Sequence, residues 1–410
     1  MANKYRNLQR VFFIVCVLLA TSLLRAAPAS ARKWRVETVD ARMLTGRIES
    51  IAKGKVVFRT EAGRRELSVG EIVEMSAAKA PADVTVLPGQ AVLKTAQGDA
   101  LAVTEVSYDG RKLSAAGRVV GKIEMPIESA RAILLPAIGR TAAELLKGYE
   151  KMGLGKPAGD RLIVTRKGSR DLAVDGVLEG IEADKISFRY QEQSRTIDRK
   201  SIPMIFLATV TAKADGAIGT LVARDSSRIR FRSIRLAEGR LTLDNPAAGT
   251  MSVKLSDAVS ILLASAKVVR LSDMKPASVR EHGLFDLTFT HRVNKSVGGK
   301  ALTMAGKKYG SGLGLHSFCE LAYDLDGGFS TFVATVGIDD EAKPNGDATV
   351  VFEADGKMLG EKLRVTGRDK PKQIRLDVRG AKRLTIRVEF GEDGLGIGDH
   401  VDIAGARLIK

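Results

Sequence analysis

Cysteine is nearly absent from this chain: its 410 residues hold two, Cys16 and Cys319. That excludes a disulfide framework and leaves stability to core burial. Histidine is almost as scarce, with four residues and none before His282. The first 281 residues therefore offer no imidazole as general base, as partner to a nucleophile or as metal ligand, and their acids form no catalytic pair. There is one tryptophan, Trp34, and aromatics make up 5% of the chain. Aromatics are not interleaved with the basic residues, which argues against the stacking surfaces of nucleic-acid binders. After the N-terminal segment no apolar run approaches the ~20 residues of a membrane-spanning helix.

What is present begins with a sorting signal. Lys4, Arg6 and Arg10 precede an apolar run from Val11 to Leu24, Arg25 ends it, and Ala29-Ser30-Ala31 offers a small-x-small cleavage site. This order predicts a secretory signal peptide over 1–31, hence a secreted, periplasmic or cell-envelope protein with no transmembrane segment after cleavage. Cys16 lies inside the apolar run without the small residues that lipoprotein processing requires. Cleavage leaves 379 residues, enough for two to four domains. The formal charge is +17; the signal contributes four basic and no acidic side chains, so the mature chain carries about +13. Such a surface suits acidic polysaccharide more than nucleic acid.

From Trp34 to about Ala266 the chain alternates short β-branched stretches with Gly, Asp and Lys turns, the pattern of an all-β protein. It repeats. Leu44-Thr-Gly46-Arg-Ile48, Lys55-Val-Val-Phe58, Arg65-Glu-Leu67 and Ile72 return as Leu178-Glu-Gly180-Ile181, Lys185-Ile-Ser-Phe188, Arg195-Thr-Ile197 and Ile202. Phe58 and Ile72, like Phe188 and Ile202, stand fourteen residues apart. Two looser copies, about Val84–Pro136 and Gly216–Ser265, bring the total to four repeats of roughly fifty residues, in pairs over 32–140 and 160–266. Each repeat is expected to close into a small SH3-like β-barrel or to pack as a sandwich with its neighbour. Between the pairs, 141–159 predicts one helix and a linker: Thr141 and Glu144 form a capping box, Leu145, Leu146 and Tyr149 an apolar stripe, and Gly153 to Gly159 a stop.

The last third, 267–410, is different. It opens on Val268-Val-Arg-Leu-Ser-Asp-Met-Lys-Pro276. It continues through the turn Asn294–Gly299, a glycine-rich loop from Tyr309 to His316-Ser317, the strand pair Glu320–Ala334, and Gly337-Ile-Asp-Asp340. Asp355-Gly356 marks a turn, Ile374–Val378 and Arg383–Phe390 alternate as half-buried strands, and Gly391–Asp402 forms a glycine- and acid-rich loop before Ala406–Ile409. Gly310-x-Gly312-x-Gly314 lacks the flanking strand and helix of a dinucleotide site.

In this order the elements resemble the NPCBM family of carbohydrate-binding modules, over about a third of the chain. The resemblance implies a C-terminal jelly-roll β-sandwich, similar to galactose-binding domains, that binds glycan. Where family members carry an aromatic before the last strand this chain has Ile403, which leaves Tyr309 as the platform for a sugar ring. Sugar hydroxyls call for carboxylates, amides, Arg and His on loops at one end of the sandwich. The candidates are Arg292, Asn294, His316, Glu320, Asp339, Asp393 and Asp399. Asp339 and Asp340 also suit turn capping. Asp393, Asp399 and Asp402 offer hard oxygen ligands for a structural calcium. Cys319, among apolar neighbours, reads as an inert buried thiol. The expected function is that of a non-catalytic exported glycan-binding protein; the alternative is a structural or adhesion scaffold whose sandwich and repeats contact envelope proteins.

Overall fold

The computed structural model describes residues 32–40, 42–79, 86–136, 140–142, 144–145, 148, 159–165, 171–208, 216–265, 267–283 and 288–410. The expected signal peptide and most of the expected linker lie outside them. The chain divides into two compact bodies: one holds residues up to Glu37 and Met43–Leu263, the other Thr38–Arg42 and Ala264–Lys410. Among the described residues no helix is long and apolar enough to cross a membrane.

The first body contains the four repeats, built to one plan. In the first, strands Trp34–Thr38, Met43–Ala52, Lys55–Thr60 and Gly63–Ser68 lead through a 3-10 turn, Val69–Glu71, into the closing strand Ile72–Ala77. The third runs Asp160–Val164, Leu172–Ile181, Lys185–Tyr190, Gln193–Asp198, the turn Arg199–Ser201 and Met204–Phe206. Local chemistry fixes the turn. Ser68 Oγ accepts from Gly70 N while the Glu71 carboxylate accepts from Ser68 N at 2.8 Å, and Asp198 accepts from Lys200 N at 2.9 Å. The long second strand bends at a bulge between Ile48 and Ser50, and again between Leu178 and Gly180. Gly46 and Gly176 let that strand cross its neighbour: a Cβ there would stand 2.1 and 2.2 Å from the carbonyl oxygens of Arg59 and Arg189.

The second and fourth repeats split the long strand in two. They run Ala91–Thr95, Ala100–Val103, Glu105–Tyr108, Lys112–Gly117, Gly121–Pro126 and Ala130–Leu134, and Gly219–Ala223, Arg228–Phe231, Ser233–Ala237, Arg240–Asn245, Gly249–Lys254 and Ala258–Leu263. Among the described residues no repeat closes into a barrel. Edges are covered by other repeats instead: Ile72–Ala77 pairs antiparallel with Ala258–Leu263, and Ala130–Leu134 with Met204–Phe206. The exposed strands Gly63–Ser68 and Gln193–Asp198 carry charge, which discourages further pairing. One core runs through all four repeats, from Trp34 through Phe58, Phe188 and Phe231 to Leu263. The expected helix starts as its sequence requires: Thr141 N donates to the Glu144 carboxylate at 2.7 Å and Glu144 N to Thr141 Oγ1 at 3.3 Å. Ala142 and Leu145 join a smaller core with Leu134, Met204 and Phe206. Leu146, Tyr149 and the rest of that helix lie outside the described residues.

The second body is a β-sandwich. One sheet runs Arg292–Val293, Gly312–Leu315, Val401–Ile409, Thr331–Ile338 and Lys372–Asp377, with Val268–Arg270 also on Val401–Ile409. The facing sheet runs Ser278–Glu281, Cys319–Asp324, Arg383–Phe390, Asp347–Ala354 and Lys357–Met358, with Leu363–Thr366 also on Asp347–Ala354. Alternation places Leu313, Leu315, Val336, Ile338, Val401 and Ile403 from the first sheet against Leu321, Val350, Ile386 and Val388 from the second.

Candidate functional site

All four histidines gather at one end of this sandwich, where residues 282–283 and 288–291 meet the loops 316–318, 339–346 and 391–400. His316 closes the glycine-rich strand Gly312–Leu315 and turns inward, 5% exposed. Its ring stacks on Phe289 with centroids 4.2 Å apart and meets His400 edge-on at 5.7 Å, and Nδ1 lies 2.6 Å from the Ser317 carbonyl oxygen. Burial, opposed by the Ser317 carbonyl, holds the imidazole below its ordinary pKa, so the ring is neutral at pH 7. His282, exposed, stacks on Phe318 at 4.5 Å. His291 Nδ1 lies 2.7 Å from Glu281, and His400 Nδ1 3.0 Å from Glu341. The loop Gly391–Gly398 lays Gly396 against His316 and leaves Leu395 and Ile397 exposed, the latter 66%.

The carboxylates of this end fasten loops. Asp399, fully buried, accepts from Ser317 Oγ at 2.5 Å and from Asp347 N at 2.9 Å, which ties three loops together. Burial pushes its carboxyl up to about 6, against these two hydrogen bonds. Asp339 accepts from Thr303 N and Glu341 N, and Asp340 from Ala305 N and Gly306 N, each at 2.7 or 2.8 Å. Both thus cap the segment 294–306, which lies across the outer face of the first sheet. Burial opposes charge on Glu341, but hydrogen bonds from Ser296, Gly298 N and His400 outweigh it and hold the carboxyl low.

Beneath that segment lies Asp402. It faces out between Gly314 and Gly337 of the two flanking strands, is fully buried, and neither carboxylate oxygen has a hydrogen-bond partner. Burial first, then the adjacent Asp339 and Glu341, push its carboxyl up to about 10, so at pH 7 it is a neutral acid.

The remaining sequence candidates sit elsewhere. Arg292 Nε donates to the Val297 carbonyl at 2.7 Å and Asn294 Oδ1 accepts from Gly312 N at 3.1 Å, so both shape the 294–306 segment. Tyr309 lies beside it with Lys307 Nζ 4.5 Å above its ring. Glu320 stands on the outer face of the second sheet, in a charged row with Arg280 at 2.6 Å and Arg387 at 3.2 Å. Asp393 caps its own turn by accepting from Leu395 N at 2.9 Å. Asp393 and Asp399 are engaged with different partners and Asp402 with none, and among the described residues no three His, Cys, Asp or Glu stand close enough to hold a metal ion. Ile403 is fully buried in the core opposite Leu313 and packs there. Cys319 is buried, its thiol pushed well up by burial and by Glu281. His282, Leu395 and Ile397 were not among the sequence candidates. An isoleucine in the glycine-rich run Gly394-Leu-Gly-Ile-Gly398, outside any strand alternation, was the available signal.

One glycine pair sets how closely the loops approach. A Cβ on Gly346 would stand 2.3 Å from the Gly398 carbonyl oxygen, and both residues have positive φ, +97° and +76°. Gly346→Val is therefore expected to lower the stability of this body by roughly 2–4 kcal/mol, read as a fall in its melting temperature. An unchanged melting temperature would show that the two loops do not meet.

Residues 267–409 match the NPCBM/NEW2 domain family. No curated protein matches the chain. Among solved structures it is similar to the CBM51 of Clostridium perfringens GH95 in complex with methyl-galactose, at 24% identity over 34% of this chain and 99% of that one, TM-score 0.31. It is similar to CBM51-2 in complex with GlcNAc and INT domains from Clostridium perfringens ZmpB, at 19% identity over 56% of this chain and 45% of that one, TM-score 0.32. A third is the tandem CBM51 pair of a family 98 glycoside hydrolase from Streptococcus pneumoniae, at 13% identity over 92% and 87%, TM-score 0.30.

Proposed function

We propose, from the premise that residues 267–409 are an NPCBM/NEW2 domain, that this protein is an exported, non-catalytic glycan-binding protein. The family match carries the reading. The loop end supports it: rigid strands hold a surface where His282 on Phe318 supplies a polar-edged ring face and Leu395 with Ile397 an apolar tip. A sugar needs both an apolar contact and groups that bracket hydroxyls. His316 and Asp399 serve this surface from beneath by fixing the loops. Asp339, Asp340, Asp393 and Asp399 accept from backbone amides, as befits a recognition surface rather than a hydrolytic one. With a mature charge of about +13, acidic envelope polysaccharide is the favoured class of glycan.

The test is a glycan array probed with the mature full-length chain and with His282→Ala and Ile397→Ser. Both side chains are exposed, so the variants should melt like the parent while losing at least tenfold in retention. A silent parent chain that instead captures an envelope protein would replace this reading with the scaffold one.

A further inference from the structure

The first two repeats return as the last two at fixed offsets. Residues of the first repeat reappear 130 positions later in the third, as Phe58 and Phe188 or Ile72 and Ile202 do; those of the second reappear 128 positions later in the fourth, as Leu113 and Leu241 do. The strand pairings that join repeat one to repeat four and repeat two to repeat three obey the same rule, each occurring twice. Met75 faces Ile261 where the first repeat meets the fourth, and the offsets convert that pair into Ile205 facing Ile133, where the third meets the second. Ile51 faces Leu236, and its image is Ile181 facing Tyr108.

The junction between the second and fourth repeats is its own image. Arg230 N donates to Asp99 Oδ1 at 2.6 Å, and Ala102 N donates to Ser227 Oγ at 2.9 Å. Asp99 and Ser227 are equivalent positions, as are Ala102 and Arg230. A contact in which i meets j and the copy of i meets the copy of j is the mark of a two-fold, isologous interface.

We propose that residues 34–263 are a fused dimer. Each half, 34–135 and 160–263, is a two-repeat module whose docking partner is a second copy of the same module. The halves are joined edge to edge: the closing strand of each repeat pairs on one side with the first strand of its own repeat and on the other with a closing strand of the opposite half. The segment 141–159 then joins the halves in sequence; Ala142 and Leu145 pack on both, but the strand pairings between the halves lie outside it.

The test cuts that join. A protease site is placed within Gly153–Gly159 of the full chain, and the purified protein is cleaved. The two fragments are expected to travel together at the mass of the intact chain in native size-exclusion chromatography and to part only in denaturant. Fragments that separate in native buffer would overturn the proposal. The edge pairing is read separately with S76C and S260C, since Ser76 faces Ser260 across the two halves and Cys319 is buried. Oxidation should keep the cleaved chain as one band on a denaturing gel until it is reduced. If both thiols stay free in the folded protein, the first repeat does not pair with the fourth and the fused dimer is wrong.

Discussion

Asp399→Ala is expected to unfasten the loop end of the sandwich. The substitution strips a buried hydroxyl, Ser317 Oγ, and a backbone amide, Asp347 N, of their acceptor, and leaves a hole where three loops converge. Two buried donors without partners cost about 1–3 kcal/mol each, so a loss of roughly 2–4 kcal/mol is expected after relaxation. Glycan retention should fall by more than tenfold, because His316, Gly396 and Ile397 lose their fixed positions together. Denaturant unfolding of the second body alongside array binding measures both. A variant that melts and binds like the parent would show that the loops are held by something other than this carboxylate. Asp399 also has a pH signature. Its carboxyl stands at about 6, above the ordinary 3.8, so the stability it lends is fully present below about pH 4 and declines as pH rises to about 6. Asp399→Asn keeps an acceptor oxygen and should remove that decline.

Asp402 gives the second large effect, with the same sign over a wider range. Folding raises its carboxyl from 3.8 to about 10, so the folded state holds a proton that the unfolded state releases. Stability from this group is complete below about pH 4 and is lost progressively as pH rises towards 10. Asp402→Asn, of nearly the same shape and already neutral, is expected to keep the fold and to flatten the fall in melting temperature between pH 7 and 10. Asp402→Lys should unfold the second body by placing a charge where water cannot follow. If Asp402→Asn melts with the same alkaline slope as the parent, Asp402 is ionised in the folded protein.

Much of this fold could be read in advance. The fourteen-residue interval from Phe58 to Ile72, repeated from Phe188 to Ile202, marks the same strand, hairpin and 3-10 turn in two repeats. Their arrangement could not be read. The closing strands carry no sequence feature that names a partner in another repeat, and the pairing of Ile72–Ala77 with Ala258–Leu263 is set by the fold. Closure into a barrel or packing on a neighbouring repeat was expected because each repeat has an edge to hide; pairing between repeats is what hides it. In the sandwich, the order of glycine turns and alternating strands marked the domain. Single residues were less legible. His316 and Asp399 stood out by composition, yet whether such a group touches a ligand or a loop depends on which way its side chain turns. Glu320 sits on an outward-facing strand position whose neighbours, Arg280 and Arg387, come from strands distant in sequence. His282 acquires its meaning from Phe318, thirty-six residues away.

The gathering of every histidine at one end has a spectroscopic consequence. Imidazole C–H protons resonate apart from most other signals, and this chain would contribute only the four of them. Each belongs to the same loop cluster: one exposed on Phe318, one buried against Phe289, and two beside Glu281 and Glu341. A natural-abundance proton spectrum therefore carries its own map reference. A glycan seated on the loops shifts these lines, while a ligand on the repeat array leaves them where they were.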